Sequence, residues 1–227
     1  MVEIWLAATL WVVTHLGLSS TPLRGALVGV VGEKGFAGVY SLVAFASLGF
    51  LIWVYGTVPR FDYFWLPNPD LYWVAKVTMP IALILMLGGF MVRNPTMVGA
   101  TLDDAGAAAA MATGVTRITR HPFQWAVVIW GVGHIVANGD QVSVVFFSAF
   151  VLVSLAGTFL MDMKKRRSFG DAWSAYAGVT SNVPFAALMS GRNQLVLKEL
   201  WLPVAVGLVA YALLYYFHEA LFGALIV

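Results

Sequence analysis

Residues 120–140 read RHPFQWAVVIWGVGHIVANGD, two histidines and a glutamine inside a long apolar run. A soluble core rarely supplies so continuous a run, and the flanking residues decide what surrounds it. The chain of 227 residues is 60% hydrophobic and 11% charged, and its mean hydropathy is +0.84. Soluble domains carry roughly 25% charge. A chain so poor in charge cannot cover a water-facing surface, so the expected fold is an all-α, polytopic integral membrane protein forming one domain over 1–227.

A hydrocarbon core of about 30 Å takes about 20 helical residues. Working outward from 120–140, the segments that fit are 121–138 and 141–162, then 71–92, 36–58, 3–19 and 200–222, about six spans. The runs are continuous and lack the alternation of a membrane barrel. Between them, 20–35 starts Ser20-Thr21-Pro22, a good helix start, and is expected to lie in the membrane interface. Residues 163–180 place Phe169, Trp173 and Tyr176 at helical spacing behind a basic front and read the same way. The Ala/Gly-rich loop 93–114 is expected to be small and mobile. The N-terminal apolar stretch lacks a basic leader and a small-residue cleavage site, so it reads as a retained span and not a signal peptide.

Lys and Arg sort to one end. Arg24, Lys34, Arg93, Arg117, Arg120, Lys164, Lys165, Arg166, Arg167, Arg192 and Lys198 fall there, and only Arg60 and Lys76 at the other. Eleven against two makes the basic end the cytoplasmic one and turns both termini outward. Aromatic residues crowd the opposite interface around PRFDYFWLPNPD, 59–70. The net charge of +2 comes without a basic patch interleaved with exposed aromatics, so nucleic acid is not an expected partner. There is no cysteine. That excludes disulfides and thiolate ligation, and leaves imidazole, thioether, carboxylate and carbonyl as metal donors.

At about 100° per residue, Gln124, Gly131, His134 and Asn138 fall within about 80° of arc on one helix. They form a polar, small-residue stripe on which Gly131 leaves room beside His134. On the first span Ala8, Trp11, His15 and Ser19 share a face. Each histidine could make a helix–helix hydrogen bond, an ordinary use in membranes. Two neutral imidazoles from different spans also suit haem iron. His218 is a rival partner for His134. Arg117, Arg120 and His121 sit at the cytoplasmic mouth and could hold a haem propionate, another anion or a lipid phosphate, or could simply anchor the span.

The stretches THLGLSSTPLRGALVGVVGEKGFAGVYSLVAF (14–45), VRNPTMVGA (92–100), GVTRITRHPFQWAVVIWGVGHIVANGD (114–140) and DMKKRRSFGDAWSAYAGVTSNVPFAAL (162–188) resemble the bacterial NnrU family over nearly the whole chain. That family is similar to the haem-dependent zeta-carotene isomerases of plants and cyanobacteria. The resemblance implies haem b, with His15 and His134 as its axial ligands; Gln124, Gly131 and Asn138 of the stripe and Arg120 and His121 of the cytoplasmic mouth would then lie around it. It also implies a bacterial inner membrane, a polyene or other unsaturated lipid as substrate, nitric oxide as a further ligand, and a link to denitrification. It assigns no catalytic residue beyond these. The isomerases carry a cysteine one turn before the second histidine, where this chain has Gly131, so a thiolate ligand swap cannot operate here. Residues 120–184 also resemble isoprenylcysteine-type membrane methyltransferases through Arg120-His121-Pro122 and Phe169-Gly170. The glutamate pair expected there falls on Met161 and Asp162, which weakens an S-adenosylmethionine site lined by Arg120, His121 and Asp162. A third reading is a non-enzymatic partner of a nitrogen-oxide reductase that docks through Lys164–Arg167.

Overall fold

The computed structural model describes residues 1–97, 99–102 and 104–223, and among these it is helical throughout with no strand. The main helices are α1 (Val2–Ser20), α2 (Pro22–Thr57), α3 (Pro69–Met91), α4 (Ala105–Ala108), α5 (Pro122–Asn138), α6 (Gln141–Val179), α7 (Ala186–Met189) and α8 (Trp201–Phe222). Five of them, α1, α2, α3, α6 and α8, are long and apolar enough to cross a membrane. The remaining expected span, 121–138, forms α5, whose 17 residues sit at the lower limit of about 17–25 for a span.

Local chemistry fixes where these helices begin. Thr21 accepts a hydrogen bond from the Leu23 amide at 3.2 Å and returns its own proton to the Gly17 carbonyl at 2.6 Å, so one side chain closes α1 and opens α2. Asn68 caps α3 through the Asp70 amide, with Pro69 in the first turn. Asp140 caps α6 through the Ser143 amide at 2.8 Å. The two-residue joint from α5 to α6 depends on Gly139, whose φ of 70° is the left-handed conformation. A Cβ there would come 2.2 Å from the Trp65 carbonyl oxygen.

The helices pack as a row, α8 on α3, α3 on α5, α5 on α6, α6 on α1 and α1 on α2. α1 buries Ile4, Ala7, Ala8 and Trp11, spaced by three and four residues, against Leu51 and Val54 of α2 and Val142, Val145, Phe146 and Ala149 of α6. On the other flank Ala82, Leu85 and Ala126 join α3 to α5. Outward-facing Leu42, Phe45 and Tyr216 are each at least 72% exposed, as expected where hydrocarbon is the solvent. This is a multi-pass helical membrane protein. At the aromatic end, loop 59–68 is tied to the α5–α6 joint. Phe64 N–H donates to Gly139 O, Gln141 N–H to Asp62 O and Trp65 Nε1–H to Val136 O, each at 2.9 Å, while Arg60 pairs with Asp140 at 3.5 Å.

The helix expected over 20–35 is present as the first part of α2, set off from the span that follows by the non-helical Gly32, where φ is 73°. Two other expectations change. Residues 163–180 continue α6 past a second bend at Gly170 and then turn back into the protein. Trp173 and Tyr176 are 1% and 0% exposed, so their aromatic face packs on protein and not on lipid. The partner surface is the 93–114 segment, which is therefore not a loose loop. Leu102, Ala108 and Ala112 are buried against Ala172, Trp173 and Tyr176, because small side chains there let the backbone approach the indole and phenol rings. Val98 and Asp103 of that segment lie outside the described residues.

Candidate functional site

The candidate residues fall into two places along α5. At its start, Arg120 and His121 close on Asp162 of α6. Arg120 Nε donates to Asp162 Oδ1 at 2.9 Å and Arg120 Nη2 bonds Oδ2, a two-pronged ion pair. His121 Nε2 lies 2.7 Å from the same Oδ1, and Asn182 Nδ2 donates to Oδ2 at 3.3 Å. The Arg120 guanidinium also stands 5.9 Å from the Trp173 ring. His121 is fully buried, and its Nδ1 has no hydrogen-bond partner. The structure thus brings Arg120, His121 and Asp162 together, with the charge of the arginine already answered by the carboxylate. One turn deeper, Gln124 carries a buried Oε1 with no partner.

Near the other end of α5, His134 Nδ1 is 2.9 Å from the Trp130 carbonyl, which fixes that nitrogen as the protonated one and leaves Nε2 with the lone pair. This is the arrangement that orients a histidine for a metal. The ring stacks on Phe147 of α6 at 4.7 Å and lies 5.2 Å from Trp130. Asn138 Nδ2 donates to the His134 carbonyl at 2.7 Å and so closes the helix end and does not face the ring. Gly131 is the point of closest approach between α5 and α6. A Cβ there would sit 2.6 Å from Val151 Cγ2, so the expected room beside His134 is filled by α6.

His15 on α1 is half-buried, 3.5 Å from Trp11 and 5.9 Å from Tyr40 of α2, ring centre to ring centre. Its Nδ1 is buried and has no hydrogen-bond partner. The His15 and His134 rings do not meet. Trp11 touches Phe150 at 5.4 Å and Trp130 touches Phe150 at 5.5 Å, so three aromatic rings lie between the two imidazoles. Counted at about 1.5 Å per residue from the end the two helices share, the imidazoles also differ in depth by more than about 10 Å. His218, the rival partner expected for His134, lies on α8 with its ring 5.0 Å from Phe222. Among the described residues no group of three or more His, Cys, Asp or Glu is placed to hold a metal ion.

Of the aromatic residues around the histidines, Trp11 was read from the sequence on the face of His15, and Trp130, Phe147 and Phe150 were not, although a signal was there. Both His15 and His134 follow a tryptophan by four residues, Trp11 and Trp130, and both tryptophans contact Phe150. In chemical terms the set fits a haem-type group at His134, with one anchored imidazole, a free Nε2 and flat apolar rings. His15 offers a second imidazole whose nitrogens make no hydrogen bond.

A multi-pass helical chain with paired tryptophan–histidine turns is the class that fold and site define. The chain matches the model of the NnrU protein family over residues 3–225 and belongs to that family. It is similar to the chloroplastic 15-cis-zeta-carotene isomerase of Zea mays, 35% identical over 83 residues, and to that of Arabidopsis thaliana, 30% identical over 83 residues. Each alignment covers 37% of this chain and 23% of the relative, so the chain matches about a quarter of the length of these relatives. No solved structure matches it.

Proposed function

We propose that this chain is a haem b protein of the bacterial inner membrane that isomerises a cis double bond of a polyene or another unsaturated lipid in a redox-dependent way. The observation that carries the reading is His134, an intramembrane imidazole whose Nδ1 is tied to a backbone carbonyl and whose Nε2 is free among flat apolar rings. The similarity to 15-cis-zeta-carotene isomerases supports the reaction class, and the family resemblance supplies the link to nitrogen-oxide metabolism.

His134 would hold the group as the rings stand, and His15 would join it only with Trp11, Phe150 and Trp130 displaced from between the two imidazoles; ferrous iron, when bound, would accept electron density from the double bond and ease its rotation. The chain's own residues supply the surroundings. Trp130 fixes the His134 tautomer through its carbonyl, and Phe147 holds the ring by stacking. Trp11, Phe150 and Trp130 exclude water and offer an apolar bed for a conjugated chain. The basic end would face the cytoplasm, which puts both termini in the periplasm.

The test is spectroscopic. Protein purified from haem-replete cells should show a Soret band that shifts on reduction. His134→Ala should lose it, and His15→Ala should convert the spectrum to one with a single histidine ligand or lose it. A preparation without a Soret band would sink the haem reading. Loss in His218→Ala with retention in His15→Ala would keep the haem but reassign its second ligand. Against the methyltransferase alternative stands the closure of Arg120 and His121 on Asp162, and calorimetry with S-adenosylmethionine should accordingly give no heat.

A further inference from the structure

The basic run Lys164-Lys165-Arg166-Arg167 lies on a helix that is continuous from Gln141 to the bend at Gly170. Lys164 is 23 residues into α6, about 35 Å at about 1.5 Å per residue. The hydrocarbon core is about 30 Å thick. The run therefore stands at the height of the lipid headgroups.

The turn that carries it is held from both sides. Just before it, Asp162 is pinned by Arg120 and His121. Just after it, Trp173 and Tyr176 are buried against the 102–112 segment. The cations are thus presented on a fixed turn, which lowers the ordering cost of holding a ligand. No carboxylate in the described residues comes within ion-pair distance of any of the four. Lys165 is the one cation of the run that turns inward, its Nζ 5.0 Å from the Phe169 ring, and burial together with the charge of Lys164 pulls its pKa down. Arg166 and Arg167 stay exposed.

What lies beneath them gives the ligand its second half. Leu152, Phe159 and Met163 are 56%, 56% and 53% exposed. With Ala156 they recur at intervals of four, three and four residues and form one stripe along α6. At about 100° per residue Arg166 and Arg167 bracket that stripe within about 100° of arc, whereas Lys164 and Lys165 fall outside it. A guanidinium pair at headgroup height above an apolar stripe in hydrocarbon matches a molecule with a phosphate at one end and an alkyl chain at the other.

We propose that Arg166 and Arg167 hold the phosphate of an anionic phospholipid whose acyl chain lies along Leu152, Phe159 and Met163.

The full chain in detergent, incubated with equal amounts of phosphatidylglycerol and phosphatidylcholine of the same acyl chains and examined by native mass spectrometry, should retain phosphatidylglycerol in roughly tenfold preference. The double variant R166Q/R167Q should fall to near parity, Lys164→Gln should keep the preference within about twofold, and raised salt should lower it. The double variant Phe159→Ser/Met163→Ser should weaken retention of both lipids. Parity in the unaltered protein, or a preference that survives R166Q/R167Q, overturns the proposal. So does complete displacement by inorganic phosphate at equal concentration, which would mark a plain anion site. A cross-linker placed at residue 159 that captures a second copy or another protein regardless of added phosphatidylglycerol would assign the face to a protein. Should R166Q/R167Q fail to fold by thermal melting, the preference and salt response of the unaltered protein decide alone.

Discussion

Arg120 grips Asp162 with two nitrogens, and by doing so fastens the first turn of α5 to the far end of the intramembrane part of α6. The side chains are 13% and 19% exposed, His121 shares the same carboxylate, and Arg120 N–H reaches the Ser181 carbonyl at 2.9 Å. Removing the carboxylate would leave a guanidinium and an imidazole without their acceptor in a largely dry setting. Asp162→Ala should therefore cost about 3 kcal/mol, read as a lowered melting temperature in detergent. The double variant Arg120→Met/Asp162→Leu should cost less than either single change.

Close helix approach depends on glycine at α3–α8. A Cβ on Gly207 would come 2.8 Å from the Ile84 Cα and 2.9 Å from its nitrogen, backbone atoms that cannot step aside. Gly207→Ala should destabilise by about 2 kcal/mol. Gly17→Ala, at a helical position with nothing within 4 Å, should instead be neutral or stabilise by a fraction of about 1 kcal/mol. Thermal melting of the pair distinguishes packing from helix propensity. No loss for Gly207→Ala would show that α8 sits elsewhere.

Glu199, just before α8, accepts Arg117 Nε–H at 2.7 Å, Arg117 Nη2–H at 3.0 Å and the Gly114 amide at 2.7 Å. The hydrogen bonds from Arg117 hold its carboxyl below the usual glutamate range, and burial opposes them only in part. A lowered folded pKa means that this stabilisation is complete above the unfolded glutamate value and is lost as the pH falls through the folded one. The melting temperature should hold from neutral pH down to about 5 and drop below it. Glu199→Gln should be less stable by about 1 kcal/mol at pH 7 and show a shallower acid limb. An unchanged acid limb would remove Glu199 from the explanation.

At the opposite end, Trp65 Nε1–H is the donor that satisfies the Val136 carbonyl in the last turn of α5. Trp65→Phe keeps the ring and removes the bond. It should cost about 1 kcal/mol and speed hydrogen exchange in residues 136–141, while exchange around Arg120 stays as it was.

The family of this chain was legible from the sequence, and so were its class and most of its helices. Lipid as solvent requires long continuous apolar helices, and such runs announce themselves residue by residue. The helix start at Thr21-Pro22 was equally local and was read from the sequence; Asn68 and Asp140 cap by the same local chemistry but were not picked out. Helical periodicity also placed Gln124, Gly131, His134 and Asn138 on one stripe. It could not say what would lie opposite that stripe. Val151 fills the space at Gly131, and Asn138 turns to its own helix. The aromatic face of 163–180 looked like a lipid-facing one because a tryptophan against lipid and a tryptophan against alanines have the same sequence pattern. The bend at Gly170 and the small residues at 108 and 112 decided between them.

The sequence alone determined that this chain crosses a membrane as helices and that its histidines sit in apolar surroundings, because these follow from composition and from spacing within one helix. Only the tertiary structure decided that Arg120, His121 and Asp162 form one knot while Phe150 and two tryptophans stand between His15 and His134. Contacts between helices depend on how side chains from distant segments fill shared volume, and no period within a single helix encodes that.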